Sequence, residues 1–276
     1  ISEKIKWSRY NFSKNNKSKR INELINEALK DAIESFDVLM IGEDIVDTTK
    51  ETPVEYGGAF KVTKGLSTKF PDLVKNTSIS EAGIIGFCIG SALNGRKSIA
   101  EIMFGDFMTL TIDQLVQQAS KIPSMYGRDI KLPLTIRSPM GGRRGYGPTH
   151  SQNIEKILLF WPNIEVLAIN ILTKPMEFYK QAVLDDKTNI IIEDKVSYTQ
   201  NFNAKGINNF EIFESNEKYK TIKIAPNFIE PNLVILCYGA MLSELINVLP
   251  DLVNEEIFPL IICPSRISPI NLPMLE

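Results

Sequence analysis

Residues 78–104 read SISEAGIIGFCIGSALNGRKSIAEIMF, and two structural periods meet within this stretch. Residues 80–95 follow a helical pattern unusually rich in small side chains, whereas Ser98 to Phe104 returns to a strand pattern. A helix delivering the chain straight into a strand is half of a βαβ unit. The same alternation extends in both directions.

Upstream, Leu24, Ile25, Ala28, Leu29, Ala32 and Ile33 recur at helical spacing and predict an amphipathic helix over 21–35. Val38 to Ile41 is a short apolar run stopped by Gly42, as in a buried strand. Residues 47–58 are polar, contain Pro53, Gly57 and Gly58, and predict a loop before a helix near 63–70. Downstream, Leu110, Ile112, Leu115, Val116, Ala119 and Ile122 share one face of a helix over 109–126. A strand at 132–136 leads into the glycine-rich loop 141–147. Then come a helix at 151–160, a strand at 164–169, a helix at 175–185 and a strand at 189–193. Strands separated by helices predict an α/β fold with a mainly parallel sheet covered on both faces.

The polar, Asn-rich stretch 200–218 suggests an interdomain linker, placed at 201–230. Beyond it lie a strand at 233–239, a helix at 241–250 and a strand at 260–263. Two strands are too few for an independent sheet. The C-terminal unit, 231–276, is therefore expected to be truncated or completed from outside the sequence.

Length and composition narrow the function classes. At 276 residues the chain suits two domains, and a net charge of -2 offers no basic face for nucleic acid. No apolar run approaches the roughly 20 residues of a membrane span, and no secretory signal opens the chain. Cys88, Cys237 and Cys263 are odd in number and set in apolar runs, which favours reduced, buried thiols in a cytoplasmic protein. Residues 1–20 carry seven basic residues against one acid, Glu3, and the first residue is Ile1. That arm resembles a linker in a fragment of a longer polypeptide. His150 is the only histidine, so any imidazole chemistry of this chain falls to it.

Glu81 admits two readings. In one it closes a capping box with Ser78 as the helix N-cap. In the other it is a carboxylate aimed into a cleft from the start of a rigid helix. Gly83, Gly86 and Gly90 follow it along the helix, where each glycine costs about 0.5–1 kcal/mol relative to alanine. Such repetition implies close approach by another backbone, a ligand or a second subunit.

Several ordered segments, each weak alone, resemble one family together. They are Gly42-Glu43-Asp44; Gly58 to Leu66; Ile79-Ser80-Glu81 with its glycines; Glu101-Ile102-Met103-Phe104-Gly105-Asp106-Phe107; Asp113-Gln114; and His150-Ser151-Gln152. In this order they resemble the β subunit of the E1 components of 2-oxo acid dehydrogenases, well over 21–200 and more loosely over 230–276. The resemblance implies a transketolase-type pyrimidine-binding domain for thiamine diphosphate over 21–200, followed by an incomplete transketolase C-terminal-type domain.

In such proteins the carboxylate after Ile-Ser accepts a hydrogen bond from N1′ of the cofactor's aminopyrimidine, the position matched by Glu81. Phe107 matches the aromatic residue packed on the pyrimidine, and Met103 is a second cofactor contact. His150 matches the histidine at the active-site mouth that assists substrate binding or protonation during acyl transfer, a task suited to a pKa near 6.5. Arg143 and Arg144 depart from the small residues usual in that loop. The segment Ala182 to Lys187 resembles one whose carbonyls hold potassium in some relatives, although Lys187 fits a nearby cation poorly.

The chain has no Gly-Asp-Gly motif, with which thiamine enzymes hold the diphosphate and its Mg²⁺. The resemblance therefore implies that an α-type E1 subunit or fused domain supplies that half. It further implies a heterotetramer joined through the glycine-rich helix 81–95, oxidative decarboxylation of a 2-oxo acid, and acyl transfer to the lipoyl domain of an E2 acyltransferase. The alternatives are a ketol transferase of the transketolase or deoxyxylulose phosphate synthase kind, and a non-catalytic scaffold subunit.

Overall fold

The computed structural model describes residues 5–12, 19–47, 56–127, 129–201 and 206–271. Lys4, Lys14 and Lys17 of the basic arm, Pro53 of the predicted loop, and residues 272–276 of the C-terminal unit lie outside them.

The larger sheet has seven strands: β2 (Leu39–Gly42), β3 (Val74–Asn76), β4 (Ser98–Glu101), β5 (Leu134–Met140), β6 (Ile164–Ala168), β7 (Thr188–Asp194) and β12 (Arg266–Ser268). Their order is β12-β6-β7-β5-β4-β2-β3, and every pairing is parallel except that of β12 with β6. The central strands are buried along their whole length, which is why they read as continuous apolar runs. Helices α1 (Ile21–Phe36), α2 (Leu66–Lys69), α3 (Glu81–Leu93), α4 (Ile122–Met125), α5 (Glu155–Leu158) and α6 (Pro175–Val183) connect these strands or flank them. The apolar stripe predicted on α1 is buried at all six positions and at Ile21.

The smaller sheet differs from expectation. Its order is β1-β8-β9-β11-β10, comprising β1 (Trp7–Arg9), β8 (Phe210–Ser215), β9 (Ile222–Pro226), β10 (Leu233–Leu236) and β11 (Pro259–Cys263), with α7 (Met241–Asn254) joining the last two. The stretch 201–230, expected to be a linker, thus carries two strands. The arm expected over 1–20 carries a third, which pairs Trp7 with Ser215 and Arg9 with Phe213. The sheet that two strands could not complete is completed by these segments. The physical signal was a short alternation: Phe210 and Ile212 turn inward while Glu211 and Phe213 are only half-buried.

The helix predicted over 109–126 is also broken. A 3₁₀ turn runs over 105–111, a π-helical turn over 114–119, and α4 follows. The hydroxyls of Thr109 and Thr111 donate to the carbonyls of Asp106 and Met108, three residues back, and Pro123 opens α4. Side-chain bonds to nearby carbonyls and a proline at a helix start each favour division over one continuous helix. The helix predicted over 151–160 shrinks to α5, because residues 150–152 are engaged elsewhere.

Candidate active site

Because β2 to β5 run parallel, their carboxyl ends open on one edge of the sheet. The chain passes from β2 outward to β3 and then returns across β2 to β4, so the strand order reverses there. A crevice at such a reversal is the usual ligand position in open α/β sheets. Segments following β2, β3, β4 and β5 deliver Glu43, Glu81, Phe104 to Phe107 and His150 to this edge.

Glu81 is the first residue of α3 and is buried, with 7% of its surface exposed. The N-cap is Ser80, whose Oγ accepts the Gly83 N–H at 3.2 Å. Ser78 does not cap the helix, and the capping-box reading of Glu81 is corrected accordingly. The Thr77 N–H donates to the Gly42 carbonyl at 2.9 Å and ties the approach to α3 onto the end of β2. Glu43 follows Gly42. Burial, the Glu81 carboxylate and Asp44 together raise the pKa of Glu43, and a Ser80 backbone hydrogen bond partly offsets them. Oε1 of Glu43 is buried without a partner, and the Glu81 carboxylate accepts no hydrogen bond among the described residues.

Gly42 has a packing reason. A Cβ there would lie 2.9 Å from Glu101 Cβ and 3.0 Å from the Glu101 carbonyl oxygen. Glu101 belongs to a buried floor that crosses three strands. Arg137 Nε and Nη2 donate to Glu193 at 2.8 and 2.6 Å, Nη1 donates to Glu101, and Nη2 reaches Tyr198 Oη at 2.9 Å. The Tyr179 hydroxyl also donates to Glu193. Two carboxylates keep Arg137 charged against the opposing effect of burial, and burial raises the pKa of Glu101 despite its arginine.

Above this floor stands an aromatic wall. His150 packs edge-on against Phe104 (centroids 4.8 Å, 88°) and Phe107 (5.1 Å, 77°), and its Nδ1 lies 2.8 Å from Thr149 Oγ1. Tyr146 packs on Phe104 and Phe60 at 5.2 and 5.9 Å. Asp106 Oδ1 accepts both the backbone N–H and the side-chain amide of Gln152, at 3.3 and 3.0 Å.

Phe107 and His150 are therefore in contact. Glu81 adjoins Glu43, and Met103 is half-buried against the main core, as is Phe107. Sequence reasoning did not single out Glu43, Phe104, Tyr146 or Lys195 as site residues. Glu43 and Phe104 lie inside the family-like motifs, Tyr146 lies in the glycine-rich loop 141–147, and only Lys195, whose ammonium donates to the His150 carbonyl, is brought near by the fold alone.

Residues 17–200 match the family described as "Transketolase, pyrimidine binding domain". The chain belongs to that family.

Within it, the curated relatives of this chain include β subunits of pyruvate dehydrogenase E1 and of acetoin oxidoreductases. It is 30% identical over 261 residues to the acetoin:2,6-dichlorophenolindophenol oxidoreductase subunit beta of Cupriavidus necator, covering 90% of this chain and 72% of that one. It is 29% identical over 257 residues to the pyruvate dehydrogenase E1 component subunit beta of Chaetosphaeridium globosum, covering 90% and 73%. These place it among the E1 β subunits of 2-oxo acid dehydrogenases, which depend on thiamine diphosphate. A solved split-gene transketolase, an inactive β4 tetramer, superposes with a TM-score of 0.61 at 15% identity, covering 88% of this chain and 69% of that one. At that identity it speaks for the fold alone.

Three further expectations meet the structure here. Cys88, Cys237 and Cys263 are buried free thiols. No helix among the described residues is long and apolar enough to cross a membrane. In the potassium-like segment, the carbonyls of Ala182 and Lys187 accept the Asn189 side-chain amide at 3.2 and 3.4 Å. Asn189 Oδ1 in turn accepts the Tyr219 hydroxyl at 3.3 Å. The Asn189 amide thus engages the first and last carbonyls of this segment.

Proposed function

We propose that this chain is the pyrimidine-binding half of an enzyme that oxidatively decarboxylates a 2-oxo acid of the pyruvate, branched-chain or acetoin type. The acyl group passes to a lipoyl group on an E2 acyltransferase, and an α-type E1 subunit or domain completes the site. One observation carries the proposal: at the start of α3 a buried Glu81 carboxylate has no donor among the described residues, and it lies beside Glu43, whose pKa burial and the Glu81 charge raise.

That arrangement fits an aminopyrimidine. When bound, thiamine diphosphate supplies the electron sink for decarboxylation. Glu81 accepts a hydrogen bond at N1′ and holds a proton there, and general acid–base help of this kind is worth about 10²–10⁴-fold. Glu43, with its raised pKa, limits the negative charge beside Glu81. Phe107 offers a ring face or edge to the pyrimidine, and Met103 offers a further apolar contact. His150 stands at the mouth and orients the substrate or moves its proton.

The diphosphate and Mg²⁺ are assigned to the partner, because this chain lacks Gly-Asp-Gly. Self-association is assigned to α3, where Gly83, Phe87 and Gly90 form an exposed face; Phe87 is 59% exposed, and a Cβ at Gly90 would meet nothing within 4 Å. Two α–β pairs joined through this face make a heterotetramer, which we place in the cytoplasm.

The test is reconstitution with an α-type partner. The complex should decarboxylate a 2-oxo acid only with thiamine diphosphate present, and a Glu81→Ala complex should lose that turnover. Preference for sugar-phosphate donors would favour a ketol transferase instead.

A further inference from the structure

Lys195 follows β7 and has no exposed surface. Its backbone N–H donates to the Met140 carbonyl at 3.2 Å, which fixes it between the carboxyl ends of β5 and β7. The ammonium donates to the backbone carbonyl of His150 and faces the rings of Phe104 (5.1 Å) and Tyr146 (5.8 Å). Among the described residues no carboxylate forms an ion pair with it. Asp106 and Asp194 act on it only as neighbouring charges, and burial outweighs them, lowering its pKa.

A buried ammonium held by one carbonyl and two ring faces is an expensive way to fill space. A methionine would fill the same volume without that cost. What the ammonium adds is geometry. It grips the peptide of His150 from below while its charge lies against Phe104 and Tyr146. Asp106 grips the same segment two residues on, through both donors of Gln152. Between these two holds the backbone at His150 has little freedom, whereas the preceding loop carries positive φ at Gly141, Arg143, Gly145 and Gly147.

We infer that Lys195 is the positioning residue for His150 and Tyr146. It sets the wall of the cleft through the His150 carbonyl, and it does not itself touch substrate. The inference rests on the proposed place of His150 at the active-site mouth.

Two measurements on Lys195→Met decide it. In the reconstituted complex, kcat should fall about 10–100-fold while KM moves little, as for a displaced catalytic group. In a His150→Ala background the same substitution should cost almost nothing more, since the two residues act as one unit. Independently, trypsin cleavage of the chain after the exposed Arg143 and Arg144 should be several-fold faster in Lys195→Met. Should that variant fail to assemble, Tyr146→Leu, which removes the other side of the contact, should show the same faster cleavage.

Additive losses of kcat, or unchanged cleavage, would overturn the inference. If His150→Ala alone left turnover intact, the proposed role of His150 would fall, and the cleavage rate would still decide whether Lys195 holds the loop.

Discussion

The carboxylates of Glu43 and Glu81 are neighbours at the carboxyl end of the sheet, and burial, reinforced by the Glu81 charge, raises the pKa of Glu43. Because the folded pKa of Glu43 exceeds its unfolded value, the folded state binds that proton more tightly. The stability this contributes is fully present below the unfolded pKa and is lost as pH rises through the higher folded value. Glu43→Gln should therefore match the parent in acid and exceed its thermal midpoint once pH passes above the ordinary carboxylate range. Thermal unfolding across that range measures the crossover. A variant less stable than the parent at neutral pH would contradict the raised pKa of Glu43.

Arg137 neutralises two buried glutamates, so removing it leaves both uncompensated. Arg137→Met should destabilise the fold by about 3–5 kcal/mol at neutral pH. The penalty should shrink as pH falls, because protonated carboxyls are easier to bury. Denaturant titration of parent and variant at two pH values tests both statements.

Gly42→Ala probes the close approach of β2 to β4. With a backbone oxygen 3.0 Å from the new methyl, relief requires moving a strand, and the cost should be about 1–3 kcal/mol. Gly90→Ala offers the contrast, since nothing within 4 Å opposes a methyl there. In the isolated chain it should be neutral or slightly stabilising; in the assembled complex it should weaken association. Unfolding and sedimentation measurements separate the two effects.

The Asn189 amide engages the Ala182 and Lys187 carbonyls. The thermal midpoint should accordingly be the same in potassium and sodium salts. In Asn189→Ala the freed carbonyls should cost about 1–3 kcal/mol, the penalty of buried acceptors left unpaired.

Much of this was legible in the sequence, for identifiable reasons. The parallel strands are buried on both faces and announce themselves as apolar runs, and α1 shows its stripe because one face meets solvent. The smaller sheet was hidden because β1 lies in a lysine-rich arm and β8 in an Asn-rich stretch, where composition masks a short alternation. At the site, Phe107 and His150 were named through their motifs, and the fold brings their rings into contact. Lys195 was not, since its burial comes from Phe104, Tyr146 and His150 closing over it, and no local pattern encodes that. The N-cap slipped from Ser78 to Ser80 because spacing alone cannot choose between two serines two residues apart.

The central claim is that Glu81 activates a bound aminopyrimidine. The most direct measurement is steady-state decarboxylation of a 2-oxo acid by the complex reconstituted with its α-type partner, comparing the parent with Glu81→Gln at saturating thiamine diphosphate. Loss of kcat by about 10²–10⁴-fold, with the complex still assembled, is the predicted result. Undiminished turnover by the Glu81→Gln complex would contradict it.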